Sequence, residues 1–336
     1  MHHLKIKCVA SLAFSASFLI WANVANAAPD VAFKPSTGYL LTQRFTLAGA
    51  GRWDFIAYDD VRSRVYVTRA DRVEVINGKT GELIGTIANT AGVHGVAFVQ
   101  ERKIGFTSNG RADSVTVFDL DTLKTLDTIK VTGSNPDAIM YHAPNHSVYT
   151  FNGKTGNITV IDAQKLVVTN TIEVGGKLEL PATDGQFLFV NVEDKSAIAV
   201  IELKTSKVTA NWPLNGCIEP TGLAFDIKNA RLFSVCNNEK MIVTNAKNGK
   251  QVAVVAIGAG PDGAAYDANT QTIFTANGKA GTVTVIHQQD ADHYRVAETV
   301  VTEKGAKTMA YDSATRQLFL PTVVAEKFTV LVVSPR

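Results

Sequence analysis

Cysteine is scarce in this sequence, and the motifs that would make it a haem or zinc protein are absent. The 336 residues include three cysteines, Cys8, Cys217 and Cys236. No C-x-x-C-H run is present to attach haem, and no H-E-x-x-H run to hold a catalytic zinc ion. The sequence therefore excludes c-type cytochromes and zincin-type proteases.

A strong net charge is also missing. The chain has 33 Lys and Arg against 31 Asp and Glu, and two of the basic residues, Lys5 and Lys7, lie in the first 27 residues, which hold no acid. The rest of the chain has 31 of each sign and is neutral. A dedicated nucleic-acid-binding protein carries a basic face, so DNA binding would need a local cluster of Arg52, Arg69 and Arg111.

No apolar run near the start is long enough to span a membrane. The run CVASLAFSASFLIWA, residues 8–22, falls short of the roughly 20 residues that a transmembrane helix needs. It follows Lys5 and Lys7 and precedes Ala25-Asn26-Ala27, the pattern of a secretory signal peptide rather than of the alternative, a membrane anchor. We expect residues 1–27 to be cleaved and residues 28–336 to form one domain in the periplasm or outside the cell.

The chain contains seven copies of one pattern, of which DAIMYHAPNHSVYTFN from Asp137 is an example. The copies begin 40 to 45 residues apart, at Asp54, His94, Asp137, Glu179, Thr221, Asp262 and Lys307. The third copy holds four short β-rich runs, DAIMYH, SVYTF, NITVID and VVTNTIEV, separated by turn sequences. Four short antiparallel strands per unit of this length are typical of a propeller blade. The sequence predicts an all-β, seven-bladed β-propeller.

The two ends of the chain complement each other. The last copy ends at Arg336 after its third strand, whereas the run LLTQRFTLAG from Leu40 has the pattern of an orphan fourth strand. Pairing them would complete the last blade and remove two exposed sheet edges. We therefore expect a ring closed by the N-terminal strand, in a protein that is a monomer.

Several short runs resemble the YVTN-repeat, YncE-like family of secreted propellers. They are YVTR at 66–69, VYTFNG at 148–153, IFTANG at 273–278 and the recurring VTVFD or VTVID. The resemblance covers the mature chain and implies a seven-bladed fold. It is weak for function, because propellers host unrelated activities; some members of the family are associated with DNA binding.

Two further series within the copies predict structural roles. The fifth residue is aromatic in six copies, which favours packing between blades over a stacking surface for bases or sugars. The sixth is aspartate in five copies, where it can bond the backbone of a turn: Asp59, Asp184, Asp226, Asp267 and Asp312.

The copies also predict a polar ring at one mouth of the central channel. In an antiparallel blade the start of the first strand and the end of the second lie at the same face of the disc. The first position contributes Asp54, His94, Asp137, Glu179, Thr221, Asp262 and Lys307. The sixteenth contributes Asn109, Asn152 and Asn277. Such side chains can hold a cation or a polar ligand, or can simply satisfy linker amides.

Cys217 and Cys236 approach the same mouth, and two thiols in an oxidising compartment favour a disulfide. The alternative is a pair of separately buried thiols.

Three functions remain open. The first is a binding or scaffolding module that engages a protein or a small polar ligand at the mouth. The second is an enzyme similar to the lactonase or lyase propellers, with a divalent cation on Asp137, Glu179 and Asp262 and with His94 as general acid or base. The third is a purely architectural surface protein. No residue is assigned a catalytic role, and no cofactor motif is present beyond that possible divalent cation.

Overall fold

The protein is a ring of seven four-stranded antiparallel sheets, which confirms the predicted all-β propeller. The structure, a computed structural model, describes residues 38–49 and 51–336. These residues form 28 strands and four short 3-10 helices. The predicted signal peptide, residues 1–27, lies outside the described residues.

The strands follow one another outward in each blade. Strand β1 is Tyr39–Leu47. The first blade contains β2 (Trp53–Asp59), β3 (Arg64–Arg69), β4 (Arg72–Asn77) and β5 (Leu83–Ile87). The second contains β6 (Val93–Val99), β7 (Ile104–Asn109), β8 (Ser114–Asp119) and β9 (Thr125–Lys130). The third contains β10 (Pro136–His142), β11 (Ser147–Asn152), β12 (Asn157–Asp162) and β13 (Val167–Glu173).

The remaining blades repeat this plan. The fourth contains β14 (Leu178–Thr183), β15 (Phe187–Val192), β16 (Ala197–Glu202) and β17 (Lys207–Pro213). The fifth contains β18 (Pro220–Asp226), β19 (Arg231–Cys236), β20 (Lys240–Asn245) and β21 (Gln251–Ala256). The sixth contains β22 (Pro261–Asp267), β23 (Thr272–Asn277), β24 (Thr282–Gln288) and β25 (Tyr294–Val301). The seventh contains β26 (Ala310–Asp312), β27 (Gln317–Val324) and β28 (Lys327–Pro335).

The 3-10 helices lie at turns between the strands of three blades: Gln100–Arg102, Gly110–Ala112, Ala143–Asn145 and Glu193–Lys195. Within the described part of the chain, no helix has the length and apolar character needed to cross a membrane.

The ring closes through the N-terminal strand, as the sequence predicts. β1 pairs antiparallel with β28, from Tyr39 opposite Pro335 to Leu47 opposite Phe328, and becomes the outermost strand of the seventh blade. Phe45 and Leu47 are buried in a cluster with residues of the first and seventh blades. Strand β1 therefore completes the sheet that β26, β27 and β28 form.

Aromatic rings of neighbouring blades contact in pairs. Tyr58 of β2 stacks on Phe319 of β27, with ring centroids 5.4 Å apart. Phe225 of β18 meets Phe189 of the preceding blade at 5.5 Å. The second strand of every blade contributes a buried aromatic residue: Tyr66, Phe106, Tyr149, Phe189, Phe233, Phe274 and Phe319. The aromatic series thus packs blade against blade, as the repeat predicts.

The repeated aspartates form turns at the opposite face from the mouth. Asp59 Oδ1 accepts hydrogen bonds from the backbone N–H groups of Val61 and Arg62. Asp267 Oδ1 accepts one from Asn269 at 2.9 Å. These bonds tie the first strand of the blade to its turn, which supports the structural role predicted for the series.

The innermost strands are irregular where they begin. In six of the blades that the structure describes, the pairing of the first and second strands shifts at this point, for example between Trp53 and Ile56 and between Val93 and Gly95. Such bulges redirect side chains. In the first two blades, hydroxyls of the second strand bond the bulged backbone: Asp54 N–H donates to Thr68 and Gly95 N–H donates to Ser108.

Candidate ligand-binding site at the channel mouth

The end of the channel where the innermost strands begin opens into a cavity of about 750 Å³. Its lining includes six carboxylates, from Asp54, Asp137, Glu179, Glu193, Glu219 and Asp262. It also includes four lysines, Lys177, Lys279, Lys304 and Lys307. The cavity therefore gathers more acidic side chains than lysines, although residues 28–336 carry equal numbers of acidic and basic side chains.

Three of the predicted residues meet on one side of the mouth. His94 Nδ1 lies 2.5 Å from Asp54 Oδ2 and 3.5 Å from Asp137 Oδ1. Burial works to lower the pKa of His94, but the hydrogen bond with Asp54 and the negative charge of Asp137 together raise it. Residues from the first, second and third blades thus form one hydrogen-bonded cluster.

A lysine links this cluster to one further carboxylate, that of Asp262. Lys307 Nζ lies 2.5 Å from Asp262 Oδ2 and 3.7 Å from Asp54 Oδ1. Desolvation works against the charged lysine, but Asp262 and Asp54 raise its pKa. The seventh and sixth blades are in this way linked to the first through charged side chains.

The fourth blade contributes a lysine between two glutamates. Lys177 Nζ lies 3.2 Å from Glu179 Oε1 and also contacts Glu193. Burial, helped by the hydrogen bond with Glu193, raises the pKa of Glu179 to about 10. Burial opposes ionisation of Glu193, but its hydrogen bonds with Glu179 and Lys177 lower its pKa. Glu179 therefore keeps its proton at neutral pH, and Glu193 carries the charge that pairs with Lys177.

Two further carboxyl groups of the mouth, those of Asp137 and Asp262, are also hard to ionise. Burial raises the pKa of Asp137 to about 6, and the charges of Asp54 and Asp262 add to this shift while His94 opposes it. Burial likewise raises the pKa of Asp262, against the opposing charge of Lys307. Burial is therefore the main reason why these two carboxyl groups resist ionisation.

Replacing Glu179 with glutamine should make the protein less sensitive to alkali. The folded protein holds a proton on Glu179 that the unfolded chain loses above its ordinary pKa, so this group stabilises the fold at acid pH, and that contribution falls as pH rises towards about 10. Between about pH 5 and about pH 9, we expect wild type to lose up to about 5 kcal/mol relative to Glu179→Gln, since each pH unit in this window costs at most about 1.4 kcal/mol. Denaturant unfolding at both pH values measures this; parallel curves would contradict it.

Three predicted mouth residues do not face the mouth. Asn109, Asn152 and Asn277 are fully buried within their blades. Asn109 Nδ2 donates to Thr116 Oγ1 at 2.9 Å, and Asn277 Nδ2 donates to Thr284 Oγ1 at the same distance. In the strand pairing, each asparagine lies opposite the residue that precedes the first position of its copy. It belongs to the second strand of the blade, which is farther from the channel axis than the first. These asparagines join the second and third strands and do not line the cavity.

The arginines proposed as a DNA-binding cluster are not gathered at the mouth. Arg69 is 1% exposed and donates from Nη1 to Glu74 Oε2 at 2.6 Å. Arg52 and Arg111 line a separate cavity of about 370 Å³ beside His94. Because Arg69 is buried, the local basic patch that nucleic-acid binding would need lacks one of its three members.

Sequence reasoning missed several residues that line the cavity, among them Lys177, Glu193 and Phe55. Lys177 and Glu193 precede and follow strands of the fourth blade, outside the two aligned positions. Phe55 occupies a position that most other copies fill with a small residue. Its ring lines the mouth and also a smaller apolar cavity of about 190 Å³ deeper in the channel. The break in the small-residue pattern at Phe55 is a signal that could have identified it.

Cys217 and Cys236 form a disulfide with their Cα atoms 5.4 Å apart. It ties the linker before the fifth blade to the end of β19. Both sulfur atoms are buried beneath the rim, near Glu219 and Asn237, which line the cavity. The bond therefore constrains a loop of the candidate site.

The side chains that could hold a metal ion differ from the set proposed on sequence. Among the described residues, Asp54, His94 and Asp137 place one ligand atom each within 4.8 Å of the others. Glu179 and Asp262 are instead paired with Lys177 and Lys307. Asp137 belongs to both sets. His94, proposed on sequence as a general acid or base, lies among the candidate ligands instead.

The fold is similar to that of solved propellers whose sequences are distant. A chain of hydrazine synthase from Kuenenia stuttgartiensis aligns with a TM-score of 0.72 at 16% identity, covering 84% of this chain and 96% of that one. U3-55K aligns at 0.75 and 8% identity, covering 88% and 98%. The WD40 repeats of RRP9 align at 0.76 and 8% identity, covering 90% and 98%. These identities show a shared fold alone.

No protein-family model matches the chain, and no curated protein matches it. The resemblance to YVTN-repeat, YncE-like propellers stays a prediction from the sequence, and the comparisons show a seven-bladed propeller similar to WD40 structures.

Proposed function

We propose that this protein is a noncatalytic binding module that holds a small polar ligand carrying a positive charge in the mouth of the propeller. The observation that carries the proposal is the excess of acidic groups in the cavity: apart from the protonated Glu179, five acidic side chains face four lysines. The raised pKa values of Asp137 and Asp262 support it, because burial is their main cause and a bound cation would stabilise the charged form of both buried groups.

The size and lining of the cavity suit a small molecule. A volume of about 750 Å³ lies within the roughly 300–1,000 Å³ typical of ligand pockets. Phe55 provides an aromatic face beside the carboxylates, and a cation over such a face gains further attraction. A protonated amine on a short apolar chain satisfies both features.

We also propose that the module acts in the periplasm or outside the cell. The support is the sequence of residues 1–27, which has the pattern of a cleaved signal peptide. A disulfide between Cys217 and Cys236 is compatible with an oxidising compartment.

Putrescine, a small diamine, tests the proposed ligand class. Titration calorimetry on chelator-treated protein at neutral pH should show one putrescine bound per chain, and no binding of the uncharged diol or of the dicarboxylate of equal length. Asp262→Asn should weaken putrescine binding by about 10-fold or more, because it removes a charged hydrogen-bond acceptor from the mouth.

The matched control is Asp290→Asn, the same change at an exposed aspartate of the turn between β24 and β25. This variant should bind putrescine as wild type does. Equal weakening by both variants, or binding of the dicarboxylate in place of the diamine, would overturn the proposal.

A further inference from the structure

The cluster of Asp54, His94 and Asp137 has the composition of a metal site. One imidazole nitrogen and two carboxylate oxygens come from three successive blades and lie within 4.8 Å of one another. Their side chains are 15 to 24% exposed. Asp137 lines the mouth cavity, His94 lines the adjacent cavity of about 370 Å³, and Asp54 lines both. We propose that they bind one divalent transition-metal ion, zinc or manganese, in the channel mouth.

The second ring nitrogen of His94 is held by an amide. Asn135 Oδ1 and His94 Nε2 border the same small space beside Gly110. A Cβ atom added to this glycine would lie 2.5 Å from the oxygen and 2.6 Å from the nitrogen. The Asn135 side chain hydrogen-bonds to His94. An amide oxygen only accepts, so Nε2 donates its proton to Asn135, while Nδ1 donates to Asp54 in the metal-free cluster. A metal ion would replace the proton on Nδ1, and the bond with Asn135 would keep the other proton on Nε2.

Asn135 is itself fixed in place. Its φ of 57° lies in the left-handed region, and its backbone N–H donates to Asp113 Oδ1 at 2.8 Å. Histidine ligands in metal sites usually donate their other N–H to such a partner, which sets the tautomer and the ring orientation. A residue outside the cluster thus prepares Nδ1 for a cation.

The ligand set indicates the type of ion. Asp54 Oδ1 faces Lys307 at 3.7 Å, so Asp54 offers a single oxygen, Oδ2, to the cluster. Two carboxylates neutralise a divalent ion; the imidazole favours zinc over magnesium or calcium, and the carboxylates also suit manganese. Three protein ligands beside a cavity leave room for water or a ligand group on the ion. The inference does not depend on amine binding.

The test is calorimetric titration of chelator-treated protein with zinc chloride and with manganese chloride, in the absence of amines. We expect one ion per chain. His94→Gln and Asp137→Asn should each weaken binding by at least about 100-fold, since loss of even an outer partner costs roughly 10–100-fold. Asn135→Ala should weaken it by about 10–100-fold, because the tautomer is no longer set.

The control is His146→Gln, at an exposed histidine 3.8 Å from Glu101 and outside the mouth, which should bind metal as wild type does. Asp262→Asn should keep the metal while losing putrescine, so that the two proposals fail separately. Folding of each variant is checked by its thermal transition. Absence of zinc and manganese binding by folded wild type, binding of magnesium or calcium alone, or unchanged affinity in both His94→Gln and Asp137→Asn would overturn the inference.

Discussion

Deletion of residues 38–47 should prevent the whole ring from folding cooperatively. These residues contain β1, whose pairing with β28 closes the seventh blade. Tyr39, Phe45 and Leu47 of this strand are all less than 9% exposed. The deletion would remove these side chains from two clusters of the core and would leave β28 as an open sheet edge.

The expected loss exceeds the stability of a typical domain. Truncating one buried aromatic residue costs about 3–5 kcal/mol, and the deletion removes two of them together with a leucine and a ladder of hydrogen bonds. Since native domains are stable by about 5–15 kcal/mol, the shortened chain should be mostly unfolded.

Circular dichroism and denaturant titration measure this loss, with Gln43→Ala, an exposed change in the same strand, as the control. A synthetic peptide of residues 38–47 should restore the transition. An unchanged midpoint in the shortened chain would contradict noncovalent closure.

Glu74→Ala should destabilise the protein by about 3–5 kcal/mol, because it removes the carboxylate that neutralises a buried guanidinium. Arg69 Nη1 lies 2.6 Å from Glu74 Oε2, and its Cζ lies 3.8 Å from the centre of the Phe328 ring. Burial lowers the pKa of Arg69 while Glu74 raises it. The charge therefore depends on this carboxylate for most of its compensation.

The matched control is Asp71→Ala, which removes an exposed carboxylate 3.1 Å from Arg72 in the same blade. It should cost less than about 1 kcal/mol. The double variant Arg69→Met, Glu74→Leu should recover much of the loss, since apolar residues can replace a buried ion pair. Urea unfolding of the four proteins gives the comparison, and equal losses for Glu74→Ala and Asp71→Ala would contradict the account.

The fold could be predicted because the same physical constraint recurs in every copy. The repeat length and the four short β-rich runs per copy indicate a blade, and the aromatic residue found in six of the seven first strands marks the contact between blades. The unpaired run after Leu40 and the missing fourth strand after Arg336 then leave one way to close the ring.

The candidate site was only partly predictable. Alternation along an innermost strand is enough to predict that Asp54, Asp137 and Asp262 reach one mouth. It is not enough for Asn152, because the bulge at the start of β10 shifts the pairing, and this asparagine turns into the blade instead. Side chains in loops are harder to predict, because the linkers between blades do not follow the repeat. Lys177, which lines the mouth, lies in such a linker.

The pairing of charges also lies beyond sequence reasoning. The carboxylates of Asp54 and Asp262 are far apart along the chain, yet Lys307 joins them. Which carboxylate meets His94 and which meets a lysine depends on the order of blades around the ring and on side-chain length. These pairings decide which carboxylates join the cluster with His94 and which pair with a lysine. Only the three-dimensional positions of the side chains reveal them.

A crystal structure of the protein soaked in putrescine tests the proposed binding at the mouth most directly. We predict density for the diamine beside Phe55, with one ammonium group about 2.7–2.9 Å from a carboxylate oxygen of Asp262 or Asp137. An empty mouth at saturating putrescine, or diamine density found elsewhere on the ring, would contradict it.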